Sequence, residues 1–241
     1  MTGETHHDAQ PQAQLAAPPR EAVVLCGGGL ASTVLIHWLR HHGSVVTVLS
    51  CDLGQPATGL LHVADTAAAL RCDHRVADLS AVVTTISGPV VRHVEHVGVL
   101  AAVSNGMAIL LDLGVALAIS RSADAVLVGA HGDDTVLRPE CDTGYLEALT
   151  RQAVRSNLAL AAGRFRVQAP FAGLSSGEIV RLGGDLAVSW QRTWSCWYPG
   201  RTHCGRCTGC RRRRGAFAAA QHPDPTHYMH GVPEPDAGEP R

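Results

Sequence analysis

Short apolar runs that alternate with longer helix-like stretches constrain the fold of this chain more than any other feature. The runs 22–26 (AVVLC), 45–51 (VVTVLSC) and 123–130 (ADAVLVGA) contain few polar residues, as expected for strands that are buried on both faces. Further strands are predicted at 74–79 and 165–170. Because helices are predicted between the strands, the alternation favours an α/β fold with a doubly wound parallel sheet covered by helices on both faces.

The stretches between the strands have the composition and the caps of helices. Helices are predicted at 30–42, 59–70, 104–120, 143–161 and 175–188. Ser175 or Ser176 is the predicted N-cap of the last helix, with Glu178 close enough to complete the cap. The stretch 104–120 is nearly all apolar and is expected to be buried. Residues 108–119 form the longest apolar stretch, which is too short to span a bilayer.

Length and charge set broad limits on partners and location. The chain has 241 residues, a formal net charge of -1 and no lysine. This balance gives no overall electrostatic support for a nucleic acid or an anionic membrane as the partner. The N-terminal residues lack a basic start followed by an apolar run, so a reducing, cytoplasmic location is expected.

Four cysteines lie within a short segment near the C-terminus. Cys196, Cys204, Cys207 and Cys210 occur in the string WSCWYPGRTHCGRCTGC, in which two gaps have C-x2-C spacing. Four thiolates at this spacing are typical of a tetrahedral zinc site that is filled by protein, so a structural zinc ion is predicted. Free buried thiols or disulfides are the alternative. The other cysteines are interpreted as small buried residues or pocket walls: Cys26, Cys51, Cys72 and Cys141.

The same patterns divide the chain into four predicted units. Residues 1–20 are polar and rich in Pro, Gln and Ala, which predicts a disordered lead-in. An α/β domain is expected at 21–190 and a zinc-binding module at 191–222. Residues 223–241 are rich in Pro, Gly and Asp and predict a flexible tail.

A glycine-rich segment joins the first predicted strand to the first predicted helix. Residues 26–33 read CGGGLAST, and we call this segment the glycine loop. Glycine lets the backbone approach an anion, and a helix N-terminus offers unpaired N–H groups and a favourable dipole. Phosphate binding is therefore predicted for Gly27, Gly28, Gly29, Leu30, Ser32 and Thr33. A plain tight turn is the alternative, since no G-K-[ST] follows as in a Walker loop.

The glycine loop and the cysteine segment together resemble one protein family. The loop is similar to the S-G-G-x-D-S loop of ATP pyrophosphatases. The string TWSCWYPGRTHCGRCTGCRRRRGAF resembles the zinc motif of the 7-cyano-7-deazaguanine synthase family, which reads roughly W-S-C, C-G-x-C-x-x-C, then a basic residue and G-F or A-F. Residues 51–55 (CDLGQ) resemble that family's F-D-Y-G-Q, and residues 177–188 resemble its E-I-V helix. The similarity runs in order from about 22 to 225.

The resemblance implies an ATP-dependent ligase of the queuosine pathway. Such an enzyme activates a carboxylate on a 7-deazaguanine base by adenylation, captures ammonia as an amide and dehydrates the amide to a nitrile. The implied ligands are ATP, a structural zinc ion, magnesium and a small deazapurine-like substrate. Gln55 matches the family motif and is the implied substrate contact. A homodimer or a partner protein is a further possibility, with the helix at 104–120 as one candidate surface.

Several positions differ from the family pattern where its chemistry is expected. Gly27 replaces the serine of the loop and Ala31 replaces its aspartate, which is expected to help hold magnesium. A family lysine near Ser176 is absent. The family's P-x-R-N segment corresponds to 103–107 and its P-D-C-R-P-E segment to 139–144, and neither keeps its arginine.

Three interpretations are open at this point. The first is a divergent enzyme in which carboxylates at strand ends rebuild the metal site; Asp52, Asp133 and Asp134 have this placement, and Asp52 and Asp134 are the candidate catalytic residues. The second is a catalytically degraded relative that binds a nucleotide or deazapurine as a partner subunit. The third is a zinc-stabilised nucleic-acid-binding module that uses Arg206 and the arginines at 211–214.

Residues around the cysteines are given structural interpretations first. The arginines at 211–214 are typical of a solvated helix face, with phosphate or RNA contact as the alternative. Trp190, Trp194 and Trp197 are expected to pack the module against the sheet, with stacking on a planar base as the alternative. His203 is interpreted as lying behind the ligands or facing solvent, since four thiolates already suffice.

Overall fold

The computed structural model describes residues 15–87, 103, 105–135, 139–160 and 163–230. Its centre is one parallel sheet of five strands: β1 (Glu21–Leu25), β2 (Val45–Asp52), β3 (Asp73–Asp78), β4 (Ala125–Val128) and β5 (Arg166–Gln168). The strand order is β3-β2-β1-β4-β5, and every pairing is parallel. The predicted doubly wound α/β architecture is therefore confirmed.

Eight α-helices connect or follow the strands within the described residues. They are α1 (Leu30–His41), α2 (Thr58–Ala69), α3 (Ser80–Ser87), α4 (Gly106–Arg121), α5 (Gly132–Thr135), α6 (Thr143–Ser156), α7 (Ser176–Asp185) and α8 (Thr208–Ala220). Short 3-10 turns lie at Pro139–Cys141, Leu158–Leu160 and Trp190–Arg192. None of the helices in the described ranges is long and apolar enough to cross a membrane.

Apolar side chains fill the space on both faces of the sheet. On one face α1, α7 and α8 share a core that includes Val34, Phe171, Ile179 and Phe217. On the other face α4 and α6 cover the strands through residues such as Leu111. Because both faces are covered, β4 is buried throughout and the three central residues of β1 are buried. This explains the continuous apolar runs in the sequence.

Local hydrogen bonds account for the ends of several elements. Ser175 caps α7 by accepting from the Glu178 backbone N–H, and the Glu178 carboxylate accepts in return from the Ser175 N–H. The predicted capping box is thus confirmed, with Ser175 as the cap. The predicted helix at 143–161 was too long, since Asn157 is extended and ends α6. The sequence interpretation also missed α3, where Asp78 accepts from the Ser80 N–H just before the helix.

The segment after α8 packs against the cysteine module. Residues 223–230 were predicted to belong to a flexible tail, yet Met229 N donates to the His203 carbonyl oxygen at 2.9 Å. Tyr228 Oη donates to Asp224 Oδ2 at 2.6 Å. A tail boundary at 223 therefore falls inside packed structure, and residues 231–241 lie outside the described part of the chain.

Candidate active site and metal centre

A cleft of about 680 Å³ opens at the carboxyl ends of the strands. It lies where β1 and β4 are neighbours, which is the point at which the strand order reverses direction. Ligands of doubly wound sheets bind at this position, because the loops that follow the two central strands separate there. The glycine loop follows β1, residues 129–131 follow β4, and both segments line the cleft.

The glycine loop makes a close backbone contact with the start of α2. Gly28 has φ +89°, and a Cβ at this position would lie 2.6 Å from the Gly59 carbonyl oxygen. A Cβ at Gly59 would in turn lie 2.9 Å from the carbonyl oxygen of Gly27. The two backbones can therefore meet only without side chains at Gly28 and Gly59. Gly27 itself has open space where its Cβ would be.

A second close contact joins β4 to the first turn of α1. A Cβ at Gly129 would lie 2.5 Å from the backbone nitrogen of Ser32. Gly129 thus brings the end of β4 against the glycine loop and fixes the shape of the cleft wall. The sequence analysis missed both Gly59 and Gly129; a glycine directly after a buried strand is the signal that identifies Gly129.

The N-terminus of α1 points its backbone donors at the cleft. Gly29 is the N-cap residue, no side chain caps the helix, and its first turn has no acidic residue. The first-turn N–H groups of an α-helix have no partner within the helix. Four predicted phosphate contacts line the cleft: Gly27, Gly29, Leu30 and Ser32. Two do not: Gly28, whose carbonyl oxygen accepts from Trp194 N at 2.7 Å, and Thr33, which is buried inside α1.

The two candidate catalytic aspartates have different positions. Asp134 lines the cleft from α5 and is largely buried; its Oδ2 lies 3.3 Å from His131 Nε2 and its Oδ1 lies 3.8 Å from Arg212 NH1. Asp52 does not line the cleft, because its carboxylate turns back to accept from the Gly54 N–H at 2.9 Å. The side chain of Asp133 lies outside the described residues.

Gln55 lines the cleft, but both ends of its amide are used by the loop after β2. Its Oε1 accepts from the Leu53 N–H at 2.6 Å, and its Nε2 donates to the Cys51 carbonyl oxygen at 2.8 Å. In this structure the side chain therefore shapes the β2–α2 loop. Cys26, Cys51 and Cys141 also line the cleft, which agrees with their interpretation as pocket walls. Burial raises the pKa of Cys51 to about 11, so this thiol is neutral.

The four cysteines of the C-terminal segment converge on one point. Their Sγ atoms all lie within 4.8 Å of one another, with Cys204 to Cys210 at 3.9 Å and Cys196 to Cys207 at 4.0 Å. Tetrahedral coordination with Zn–S bonds of about 2.3 Å places sulfur atoms about 3.8 Å apart. The observed donor set therefore fits a tetrahedral metal ion, and the predicted cluster is brought together as expected.

Backbone donors surround the sulfur atoms. Cys204 Sγ accepts from the N–H groups of Arg206 and Cys207, and Cys207 Sγ accepts from Cys210 N–H, at 3.3–3.4 Å. Contacts among the sulfur atoms lower the pKa of Cys207 and raise the pKa values of Cys196 and Cys210. Donors that favour the thiolate prepare the cluster for a cation.

Two glycines allow the knuckle to close around the sulfur atoms. Gly205 has φ +82°, a conformation that other residues rarely adopt, and a Cβ there would meet the His230 carbonyl oxygen at 2.5 Å. A Cβ at Gly209 would lie 2.0 Å from the Ser195 carbonyl oxygen. The segment before the first cysteine can therefore pass directly over the start of α8.

Trp194 lines the cleft, and His203 packs behind it. Both are buried, and their ring centroids lie 4.3 Å apart. His203 Nε2 accepts from the Ser195 N–H at 3.1 Å. Burial and the charge of Arg213 lower the pKa of His203 to about 4, so the ring is neutral at pH 7. His203 therefore lies behind the ligands, and the possibility that it faces solvent is excluded.

The predicted solvated face of arginines is only partly correct. Arg213 is 1% exposed and donates to Thr193 Oγ1 at 2.7 Å, to Thr226 Oγ1 at 2.6 Å and to the Trp190 carbonyl oxygen at 3.0 Å. Its Nε also lies 3.6 Å from Asp224 Oδ1. Arg213 therefore holds the module and the segment after α8 together.

Arg214 and Asp224 complete this junction. The guanidinium of Arg214 lies 3.9 Å from the ring centroid of Tyr228, and its NH2 donates to the His230 carbonyl oxygen at 2.8 Å. Burial alone would raise the pKa of Asp224, but hydrogen bonds from Thr226 and Tyr228 and the charge of Arg213 lower it below its ordinary value. Asp224 is therefore an anion in the folded protein at neutral pH.

Comparison with known proteins identifies the family. The family described as "Queuosine biosynthesis protein QueC" matches residues 21–221, which include the glycine loop, the sheet and all four clustered cysteines. The chain belongs to the QueC family. A similar curated protein, 7-cyano-7-deazaguanine synthase of Rhizobium leguminosarum bv. trifolii (strain WSM2304), is 36% identical over 217 residues, covering 86% of this chain and 91% of that protein. A second, from Rhizobium etli (strain CIAT 652), is 35% identical over 219 residues, covering 86% and 92%.

Solved structures place this QueC family member in a wider fold group. The structure of NMN synthetase from Francisella tularensis aligns with a TM-score of 0.50 and 13% identity, covering 71% of this chain and 63% of that one. At this identity the likeness concerns the fold alone. It agrees with the parallel sheet of the QueC chain and its adenine nucleotide alpha hydrolase-like architecture.

Proposed function

We propose that this QueC family member is an ATP-dependent carbon–nitrogen ligase that converts a carboxylate on a 7-deazapurine-type base to an amide or nitrile with ammonia. The observation that carries the proposal is the cleft itself, which the glycine loop and the cysteine module line together. The relatives of the chain are named 7-cyano-7-deazaguanine synthase. We further propose 21–190 as the catalytic α/β unit and 191–222 as its zinc module, in a reducing cytoplasm that suits free thiols.

The glycine loop supplies the proposed site for the phosphates of ATP. Gly27 and Gly29 line the cleft without side chains that would keep a ligand away, and the uncapped first turn of α1 follows. Backbone N–H groups at a helix N-terminus bind phosphate through hydrogen bonds and the helix dipole. Ser32 lines the same wall, and its hydroxyl donates to the Gly29 carbonyl oxygen at 3.3 Å.

An apolar wall supplies the proposed site for a planar base. Residues that line this part of the cleft come from the loop after β2, from α2 and from α4, and include Leu53, Leu60, Met107 and Leu110. Trp197 borders the same cleft from the module and is only half-buried. Apolar walls with an accessible aromatic ring favour a flat heterocycle, which buries both faces on binding.

Zinc is the proposed ion of the cysteine cluster. Four sulfur donors at nearly tetrahedral separations fit zinc, and they leave no position for a substrate. The role is therefore structural: the ion would fix the segment that carries Trp194 against the glycine loop. Bound zinc would stabilise the module, because such sites form only when the chain is folded around the metal.

Magnesium with ATP is proposed at Asp134. Among the described residues that line the cleft, Asp134 is the one with a carboxylate. Magnesium is commonly held by one or two carboxylates together with nucleotide phosphates. Ala31 also lines the cleft, at the position where the related loop pattern has an aspartate. When bound, magnesium would neutralise phosphate charge. Asp52 is not proposed for this role, because its carboxylate is turned into its own loop.

The nucleic-acid interpretation is not favoured by the arrangement of the arginines. Arg213 is committed to internal partners and Arg214 is packed on Tyr228. Only part of the predicted basic run therefore faces outward. A catalytically degraded binding subunit is likewise not favoured, and one measurement separates it from an enzyme.

The experiment supplies purified protein with ATP, magnesium, ammonia and 7-carboxy-7-deazaguanine. The expected result is AMP and pyrophosphate that appear only with the carboxylate present, together with amide and nitrile products identified by mass spectrometry. The negative control is Gly28→Ala. This variant is expected to lose activity, because its Cβ would collide with Gly59 and distort the glycine loop. ATP binding without any carboxylate-dependent AMP would instead establish the binding-subunit interpretation.

A further inference from the structure

Ionisable side chains in the cleft are few. Among the described residues that line it, the ionisable side chains apart from thiols are Asp134, His131, Arg212 and Arg213. A ligand with several phosphate charges needs cationic partners, because a carboxylate in the same space repels it. The chain has no lysine, so a fixed side-chain cation facing this cleft has to be an arginine.

Arg213 borders the cleft but cannot supply this charge. Its guanidinium donates to Thr193, Thr226 and the Trp190 carbonyl oxygen, and the side chain is completely covered. Movement toward a ligand would leave those buried acceptors without partners, which is unfavourable. Arg213 is therefore a structural cation.

Arg212 has the opposite properties. Its side chain is 50% exposed, and it lines the cleft from α8. The described contact of its guanidinium is with Asp134, at 3.8 Å between NH1 and Oδ1. Asp134 belongs to the α/β unit and Arg212 to the cysteine module, so this ion pair spans the two walls of the cleft.

The ion pair is suited to exchange its partner. It is at the outer limit of ion-pair distance and half-exposed on the arginine side, and pairs of this kind are weak. A polyphosphate offers several charged oxygens in the fork geometry that a guanidinium prefers. Asp134 keeps a second partner when the arginine leaves, since His131 Nε2 lies 3.3 Å from its Oδ2.

We propose that Arg212 is the phosphate-binding cation of this cleft, and that it leaves Asp134 to bind the phosphate chain of the nucleotide. The inference rests on the proposed use of ATP and adds the residue that recognises its charge. In this assignment the guanidinium contacts the phosphate chain and not the adenosine part of the nucleotide. Arg212 therefore contributes to the binding of ATP and of inorganic pyrophosphate, and not to the binding of adenosine.

The test is equilibrium binding of ATP, pyrophosphate and adenosine by calorimetry, without added divalent cation. Arg212→Ala is expected to weaken the binding of ATP and of pyrophosphate by at least about tenfold, a typical effect of losing a charge-assisted contact. The affinity for adenosine is expected to stay the same. Arg212→Lys keeps the charge without the fork and is expected to give an intermediate loss. Arg211→Ala is the matched control on the same helix, because Arg211 bonds to Arg206 and Thr208 and does not line the cleft.

Each result has a distinct meaning. Unchanged ATP and pyrophosphate affinity in both Arg212 variants would overturn the inference, while carboxylate-dependent AMP release by the natural protein would leave the proposed function intact. An equal loss for adenosine would also overturn it, since that pattern indicates a general structural defect. Arg212-dependent pyrophosphate binding without any AMP release would support the inference and overturn the proposed ligase activity.

Discussion

The backbone N–H of Trp194 donates a hydrogen bond of 2.7 Å to the carbonyl oxygen of Gly28, and this bond joins the cysteine module to the glycine loop. A second bond runs nearby, from Thr58 Oγ1 to the Gly200 carbonyl oxygen at 2.9 Å. Gly28 itself cannot shift freely, because its backbone is already in contact with Gly59. The conformation of the cysteine module is therefore coupled to the shape of the glycine loop.

Loss of the metal is expected to weaken nucleotide binding as well as stability. Cys210→Ser removes one sulfur from the cluster, so the protein should lose its zinc, melt at a lower temperature and bind ATP more weakly. Metal analysis should find about one zinc ion per chain in the natural protein. Cys72→Ser is the control, since Cys72 is half-buried and lies outside the cluster. Normal ATP affinity in a zinc-free variant would show that the module and the loop are independent.

Two neighbouring glycines should respond differently to the same substitution. Gly28→Ala places a Cβ 2.6 Å from the Gly59 carbonyl oxygen, at a residue whose φ is +89°. We therefore expect the free energy of unfolding to fall by about 2 kcal/mol or more. For a chain of this size that corresponds to a melting temperature lower by about 4 °C or more. Gly27→Ala has open space for its Cβ and should melt close to the natural protein. Equal melting temperatures for the two variants would contradict the described loop conformation.

The ion pair between Asp224 and Arg213 should make stability depend on pH in acid. The pKa of Asp224 is below its ordinary value in the folded protein, and the unfolded value is about 4. The charged form therefore stabilises the fold above pH 4, and this contribution is lost as the pH falls through the folded-state pKa. Asp224→Asn should lower the free energy of unfolding by about 1–3 kcal/mol at pH 7. The difference in stability between this variant and the natural protein should become smaller below about pH 4.

Denaturant titrations at several pH values measure this difference. Asp185→Asn is the control, because Asp185 is exposed at the end of α7. A destabilisation by Asp224→Asn that stays constant from pH 7 to pH 3 would show that the charge of Asp224 is not its source.

A carboxylate restored in the glycine loop should change the requirement for magnesium. Ala31 lies in the first turn of α1 and lines the cleft, so Ala31→Asp adds an anion where the helix dipole favours one. If Asp134 is the existing metal ligand, a second carboxylate should lower the magnesium concentration that gives half-maximal AMP formation. Ala31→Asn is the matched control, since it has the same size without the charge. An identical magnesium dependence in both variants would place the metal elsewhere.

Several parts of the structure could be predicted because they depend on local patterns. Strands buried on both faces need continuous apolar runs, so β1 and β4 were visible in the sequence. The capping box of Ser175 and Glu178 has a fixed spacing of three residues. The spacing of the cysteines likewise predicts that they surround one metal ion, and the four sulfur atoms do converge.

Other parts depend on contacts between distant segments and could not be predicted. Whether Asp52 faces the cleft or its own loop depends on the turn after β2, and the sequence pattern does not show that choice. In the sequence Arg213 cannot be distinguished from the exposed Arg211 and Arg212, yet partners 13 to 23 residues away bury it. Gly129 could have been singled out as a glycine directly after a buried strand, but its contact with the first turn of α1 joins segments far apart in the sequence.

The packing of residues 223–230 on the module has a consequence for biosynthesis. The five strands are all present once residue 168 has been synthesised, but Arg213 finds Asp224 and Thr226 only when the end of the described chain has left the ribosome. These contacts therefore close the cysteine knuckle from its C-terminal side only after all five strands have been synthesised. The wall of the cleft that the module supplies is therefore completed after the last strand of the sheet has been synthesised.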